Sequence, residues 1–182
     1  ITVSATYPAT DATAGEKERG TLETLLTFPI KSKDIIIGKL LSVTLSSIIT
    51  GLLSLILSII AIAYVGNAFS IYEGTTLLNS TIIICSIIII IAFSIMISGL
   101  CIAIASMSAS FKEAQSALTP LTFIAFFPGM IVFLLNISNN AILSIIPFIN
   151  FSIIFTDIAN GNINILYLAL MFISTIIIII LV

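Results

Sequence analysis

The groups that could do chemistry in this chain are few and unevenly placed. The 182 residues carry six basic and eight acidic side chains. Seven of these 14 fall within "GEKERGTLETLLTFPIKSK", Gly15 to Lys33: Glu16, Lys17, Glu18, Arg19, Glu23, Lys31 and Lys33. The chain has no His, which removes the commonest general base and metal ligand. Cys85 and Cys101 lie in one apolar run, about 24 Å apart along a helix, too far to bridge. They read as small apolar residues inside a helix. Intramembrane catalysis needs paired acids, a Ser–His pair or a metal site, and the apolar runs hold none of these. No catalytic, metal or cofactor residues are therefore assigned. The chemistry left to the charged cluster is recognition.

The elements that must position this cluster are apolar. Only 8% of residues are charged and 59% are hydrophobic, with a mean hydropathy of +1.32. A water-soluble fold carries roughly a quarter of its residues as charges. A bilayer core of about 30 Å needs about 20 helical residues to cross it. Four stretches meet that length: about 36–64, 80–106, 117–137 and 163–182. Their Ile content would suggest strands in water. In lipid, unpaired backbone groups forbid open sheets, and the period-2 alternation of a membrane barrel is absent. The expected fold is an all-α membrane protein, a polytopic bundle with four transmembrane helices, forming one membrane domain over 1–182. Ile1 to Tyr7 reads as the end of an apolar segment and Val182 as the last residue of another, so both ends are expected to be internal to a longer protein. Ile1 to Tyr7 lacks the basic n-region of a signal peptide.

The basic residues set an orientation. Lys17, Arg19, Lys31, Lys33 and Lys39 precede or open the first span, and Lys112 lies between the second and third. Loops 65–79 and 138–162 contain none. The positive-inside rule places 10–39 and 107–116 in the cytoplasm and the other two loops outside, in a multi-pass protein of the plasma membrane. No nucleic-acid partner is expected.

Within the charged stretch, Thr13 and Glu16 fit a capping box as N-cap and N3. Leu22, Leu25 and Leu26 follow at i, i+3, i+4 spacing and make one apolar face. Gly20 weakens this helix and Pro29 ends it. Ser32 can cap the next, with Asp34 in its first turn. The expectation is one short amphipathic helix over about 14–28, a break, then a helix entering the membrane. A helix lying on lipid headgroups is usually rich in Lys and Arg on its polar face. Here Glu16, Glu18 and Glu23 outnumber Lys17 and Arg19, so docking on a protein is favoured over lying on lipid.

Elsewhere the polar residues are mostly hydroxyls. Ser46, Thr50, Ser54 and Ser58 recur along the first span beside Ser47 and Gly51. Close helix packing is favoured over a pore lining, and Ser94, Ser98, Gly99 and Ser106 on the second span read the same way. Pro120, Pro128 and Gly129 are expected to break or kink the third span. "AILSIIPFINFSIIF" is apolar, but Pro147 divides it into arms too short to cross about 30 Å. A re-entrant pair of half-helices over about 141–158 fits. Asp157 follows it beside the turn-formers Asn160, Gly161, Asn162 and Asn164. It reads as an interfacial turn residue or, more sharply, as a charge at an external mouth.

The run "GEKERGTLETLLTFPIKSKDIIIGKLL" resembles the cytoplasmic segment of type-2 ABC transporter permeases, particularly the sodium-extrusion-like and multidrug-export-like branch. The matching residues are Glu16 to Arg19, Gly20, Thr21, Leu22, Glu23, Leu25, Leu26, Pro29, Gly38 and Lys39. A second similarity is "SFKEAQSALTPL", Ser110 to Leu121, with Lys112, Glu113 and Gln115. The likeness is tight over about 40 residues and extends over the chain in topology. It implies a six-helix permease whose first helix and extracellular domain precede Ile1, so that Ile1 to Tyr7 ends the second helix. It implies that 14–28 is a coupling helix, with Glu16, Glu18, Arg19, Gly20, Thr21, Leu22, Glu23, Leu25, Leu26 and Pro29 docking on a separate ATP-binding subunit. ATP and Mg²⁺ would reside in that partner, since no G-x-x-x-x-G-K-[ST] occurs here. The chain itself would be no enzyme. A second permease copy or a homologous half would complete the path. The competing reading is a membrane anchor or sensor that recruits a cytoplasmic partner through the 14–28 helix.

Overall fold

A computed structural model describes residues 1–29, 31–69, 80–135, 137, 139–159 and 164–181. The described residues form helices and turns with no strand. Helix α1, Thr2–Thr10, runs without interruption into a π-helical turn, Asp11–Gly15, and then into a single α-turn, α2, Glu16–Glu18. Helix α3 is Thr21–Leu26, α4 Ser32–Phe69, α5 Ser80–Met107, α6 Phe111–Leu135, α7 Ile149–Ala159 and α8 Ile165–Leu181.

Among the described residues, three helices are long and apolar enough to cross a membrane: α4, α5 and α6. At 38 residues, α4 is about 57 Å long, well beyond the hydrocarbon thickness. Its first turns, which carry Lys33, Asp34 and Lys39, therefore extend past the apolar layer. Helix α8 has 17 residues, about 26 Å, at the lower limit for a span. The fourth expected crossing is thus an apolar helix shorter than the other three.

Helix α5 forms the centre of the bundle, packed against α1, α4, α6, α7 and α8. Half of its most apolar window is buried, against 11% for α4 and 17% for α6. The core is assembled around Met96, Ile97, Cys101 and Ala105 of α5, with Ala5 and Ala9 of α1, Val43 of α4, Leu118 of α6 and Met171 of α8. The alanines of α1 let its backbone lie close against α4 and α5, the packing mode that small residues permit in lipid. Gly51 of α4 serves the same end, because a Cβ there would sit 2.7 Å from Ile90 Cγ2 and 3.1 Å from the Ile1 side chain. The small-residue reading of α4 holds on the Ser47 and Gly51 face, which is buried. Ser54 and Ser58 are exposed, and line a groove of about 550 Å³ with Gly51, Phe93 and Phe133. Cys85 and Cys101 are both free thiols.

Several expectations are corrected. Of the break or kink expected at Pro120, Pro128 and Gly129, the break does not occur, since all three lie inside the continuous helix α6, as membrane helices tolerate. The segment 14–28 is not one helix. Thr13 is no N-cap, because its Oγ1 donates to the Ala9 carbonyl at 2.6 Å from within a continuous helical run. A helix already under way has no free N–H groups to cap. The break falls at Gly20, whose φ of +71° lies in the left-handed region that glycine enters without strain. In the proposed re-entrant segment only the second arm is a helix, α7. Ala141 to Ile145 is a series of hydrogen-bonded turns, with Ser144 N donating to Asn140 O at 3.0 Å and Ile145 N to Ile142 O at 3.2 Å.

The α7 segment is seated by rings and amides. Phe93 of α5 meets Phe151 edge-on at 4.9 Å and Phe148 at 6.5 Å. Phe148 has a φ of +67°, a conformation costing a non-glycine residue about 1–2 kcal/mol, which the ring contact offsets. Asn150 is fully buried. Its Nδ2 donates to Ser174 Oγ of α8 at 2.8 Å, and its Oδ1 accepts from Phe151 N at 2.7 Å.

Candidate functional site

The two stretches singled out by charge, 10–39 and 107–116, meet at one end of the bundle. The α5–α6 connection is short, Ser108 to Ser110, and α2 lies over it. Each charged residue of α2 reaches a different membrane helix. Glu16 forms an ion pair with Lys39 of α4, both side chains being partly buried. Lys17 donates from Nζ to the Ser106 carbonyl, and to Ser108 O at 3.3 Å. These are carbonyls at the C-terminal end of α5, where the helix lacks internal donors and a cation is favoured. Glu18 Oε2 accepts from Phe111 N at 2.8 Å, satisfying an orphan N–H at the start of α6, where an anion is favoured. Glu113 and Ser110 complete that terminus. Glu113 Oε2 accepts from Ala109 N at 2.7 Å, and Ser110 Oγ accepts from Glu113 N at 3.3 Å. This is the reciprocal arrangement of a capping box, displaced by one residue on the carboxylate side.

Arg19 turns back along its own helix. Its Nη2 meets Asp11 Oδ1 at 2.6 Å, with both side chains more than half exposed, so the pair adds about 0–1 kcal/mol. Gly15 leaves room for this, since a Cβ there would meet Arg19 Nη2 at 3.0 Å. Thr21 Oγ1 donates across the Gly20 break to Glu16 O at 3.2 Å. The bend at Gly20 is thereby spanned by a hydrogen bond from the first residue of α3 to the first of α2.

Beyond the bend the character changes. Leu22 and Leu25 of α3 are half-buried, while Glu23, Phe28 and Pro29 are exposed. Glu23 has no side-chain hydrogen bond or ion pair among the described residues, and the Leu26 side chain lies outside them. Lys112 and Gln115 are exposed on the first turns of α6. The residues expected to dock on a partner thus divide. Glu16, Glu18 and Arg19 are engaged within the chain, and so is Glu113. Glu23 and Phe28 are turned outward, with Leu22 and Leu25 half-exposed beside them.

Asp157 lies far from this end. Half-buried in the last turns of α7, its Oδ2 accepts from Asn139 Nδ2 at 2.7 Å, and Asn139 Oδ1 in turn accepts from Ser144 Oγ at 2.8 Å. This chain of bonds ties α7 to the turns before it. The turn-formers Asn160, Gly161 and Asn162 lie outside the described residues.

Sequence reasoning missed Lys17 as a site residue. Its acceptors are backbone carbonyls 89 and 91 positions away, which no local pattern announces. The Ser110–Glu113 cap was findable, because S-x-x-E ahead of an apolar run is a helix-start signature.

A bundle of long apolar helices with a charged helical elbow at one end has the character of a polytopic membrane protein, and the comparisons place it in a family. The chain belongs to the ABC-2 transporter family: the model described as "ABC-2 family transporter protein" matches residues 1–182. Among curated proteins it is similar to the ABC transporter permease protein NatB of Bacillus subtilis (strain 168), 31% identical over 166 residues, which is 89% of this chain and 42% of that protein. The chain therefore spans about two-fifths of the relative's length. No solved structure matches. Membership in a transporter family agrees with the length and apolar composition by which α4, α5 and α6 could cross a membrane.

Proposed function

We propose that the chain is the membrane-embedded part of a permease subunit in an ATP-driven exporter, docking through α3 on a separate ATP-binding subunit. In this reading the end bearing α2 and α3 faces the cytoplasm, in the plasma membrane. ATP and Mg²⁺ belong to the partner subunit, and a second copy or a homologous half completes the transport path. The observation that carries the reading is the division at Gly20: a short helix with half-exposed Leu22 and Leu25, followed by an exposed Phe28, held on a charged elbow that is bound to three apolar helices. Family membership and the gathering of all six basic residues near one end support it. The largely uncovered apolar faces of α4 and α6 suit contact with lipid and with a second half.

Leu25→Asp tests the docking role. Burying a leucine stabilises a contact by about 1.5–3 kcal/mol, so this variant is expected to insert in the membrane and to lose its ATP-binding subunit on co-purification. Normal binding and transport by Leu25→Asp would remove α3 from the interface. Orientation is tested separately, in a background lacking Cys85 and Cys101. Asn140→Cys, chosen because Asn139 is bonded to Asp157, is expected to react with an impermeant thiol reagent outside intact cells, and Ser110→Cys is not. External labelling of Ser110→Cys would invert the topology. Ser70, the other external position suggested by the charge pattern, lies outside the described residues. Asp157→Asn tests the external-mouth role: a cationic substrate should then be transported more slowly and with weaker salt dependence, and an unchanged rate would leave Asp157 a structural residue.

A further inference from the structure

We infer that α2 is a three-point clamp through which movement of α3 reaches α4, α5 and α6 together, with Glu16, Lys17 and Glu18 as its positioning residues. The inference rests on the docking role proposed for α3.

The covalent route from α3 to the membrane passes through Thr27 to Lys31 and enters only α4. Its described residues, Thr27 to Pro29 and Lys31, lie in no helix and are exposed. A segment without secondary structure or packing transmits force poorly. The route backward through Gly20 is different. The Thr21–Glu16 hydrogen bond ties the start of α3 to α2, and α2 is bound at three separate points. Glu16 holds Lys39, about two turns into α4. Lys17 holds the terminal carbonyls of α5. Glu18 holds the first turn of α6. The three contacts alternate in sign along three consecutive residues, and each is matched to its target: an acid to an ammonium, an ammonium to a helix C-terminus, an acid to a helix N-terminus. Successive helical residues point about 100° apart, so one turn suffices to address three surrounding helices. A single apolar anchor could seat α2 in place, but it could not hold three helix ends in one fixed relation.

The elbow is also continuous with α1 through Asp11–Gly15, and Ala5, Ala9 and Ala14 of that run are fully buried. The clamp is thus braced from within the bundle on one side and carries α3 on the other. Removing one of its charges should leave the docking face intact and disconnect the helices from it.

The experiment compares Glu16→Lys, Lys39→Glu and the double exchange, together with Lys17→Met and Lys17→Arg. Each variant is made in the intact permease, reconstituted with its ATP-binding subunit. Binding of that subunit, its ATPase activity and transport are measured in parallel. Glu16→Lys, Lys39→Glu and Lys17→Met are expected to bind the subunit as the wild type does, and to lose about tenfold in transport per ATP hydrolysed. The double exchange and Lys17→Arg are expected to recover most of that loss. Recovery in the exchange excludes a folding defect as the cause. Unchanged transport per ATP in all three single variants would overturn the clamp. So would loss of subunit binding in Glu16→Lys with no recovery in the exchange, since Glu16 would then face the partner. The docking reading stands or falls on Leu25→Asp, which leaves the clamp charges untouched.

Discussion

Two regions of this bundle are held by different chemistry. At one, a single helical turn uses Glu16, Lys17 and Glu18 to grip three membrane helices by charge. At the other, α7 is seated by the rings of Phe93, Phe148 and Phe151 and by the amides of Asn150 and Asn139, with Asp157 its one charge. The cost of desolvating an ion explains the division. Near the edge of the apolar layer, ions keep part of their hydration and pair cheaply. Deeper, an uncompensated ion is expensive, so rings and neutral amides take over. Contacts made by rings are insensitive to salt, whereas contacts between partly hydrated ions are screened over about 8 Å at physiological ionic strength.

This contrast can be broken in three measurements on the intact permease in detergent, each reading thermal unfolding at low and high salt. Phe93→Ala removes the ring shared by Phe148 and Phe151 and is expected to cost about 3 kcal/mol, equally at both salt concentrations. A loss that varied with salt would mean that α7 is seated by something other than the rings. Glu16→Gln keeps the shape of the side chain and deletes the charge facing Lys39. It is expected to cost about 1 kcal/mol at low salt and distinctly less at 1 M, where the screening length falls to about 3 Å. An effect that persisted at 1 M would place the pair in a drier setting than its partial exposure indicates. Asn150→Leu replaces the amide bonded to Ser174, and should cost only about 0.6 kcal/mol, the average for hydrogen bonds between membrane helices. A loss several times larger would make Asn150 the main anchor of α7 in place of Phe93.

The membrane helices were readable from composition. The expected spans 36–64, 80–106 and 117–137 fall within α4, α5 and α6, apart from the last two residues of the third, because apolar runs of that length have no other stable state in lipid. The boundaries at the charged end were not readable for a specific reason. Thr13 and Glu16 match a capping box as letters, but the helix carrying them begins eleven residues earlier, at Thr2, so the cap has no terminus to serve. Gly20 looked like a weak point inside a helix and is instead the bend. The targets of Lys17 and Glu18 lie some ninety residues onward, beyond any window a periodicity can survey. For the apolar segment around Pro147, the proline signalled an interruption correctly. It carried no information on whether the preceding arm would coil into a helix or into turns.

The crowded contact at Gly51 gives α4 the proportions of a lever. Its backbone is pressed against the Ile90 side chain at that residue, whereas a Cβ at Gly38 would meet nothing within 4 Å. From Lys39, where the elbow holds it, to Gly51 is about 18 Å, and from Gly51 to Phe69 about 27 Å. With Gly51 as fulcrum the mechanical advantage is about two-thirds, so a stroke of about 2 Å applied at Lys39 emerges at the far end as about 3 Å in the opposite sense. The helix would trade force for travel, inverting the direction of the motion delivered to it.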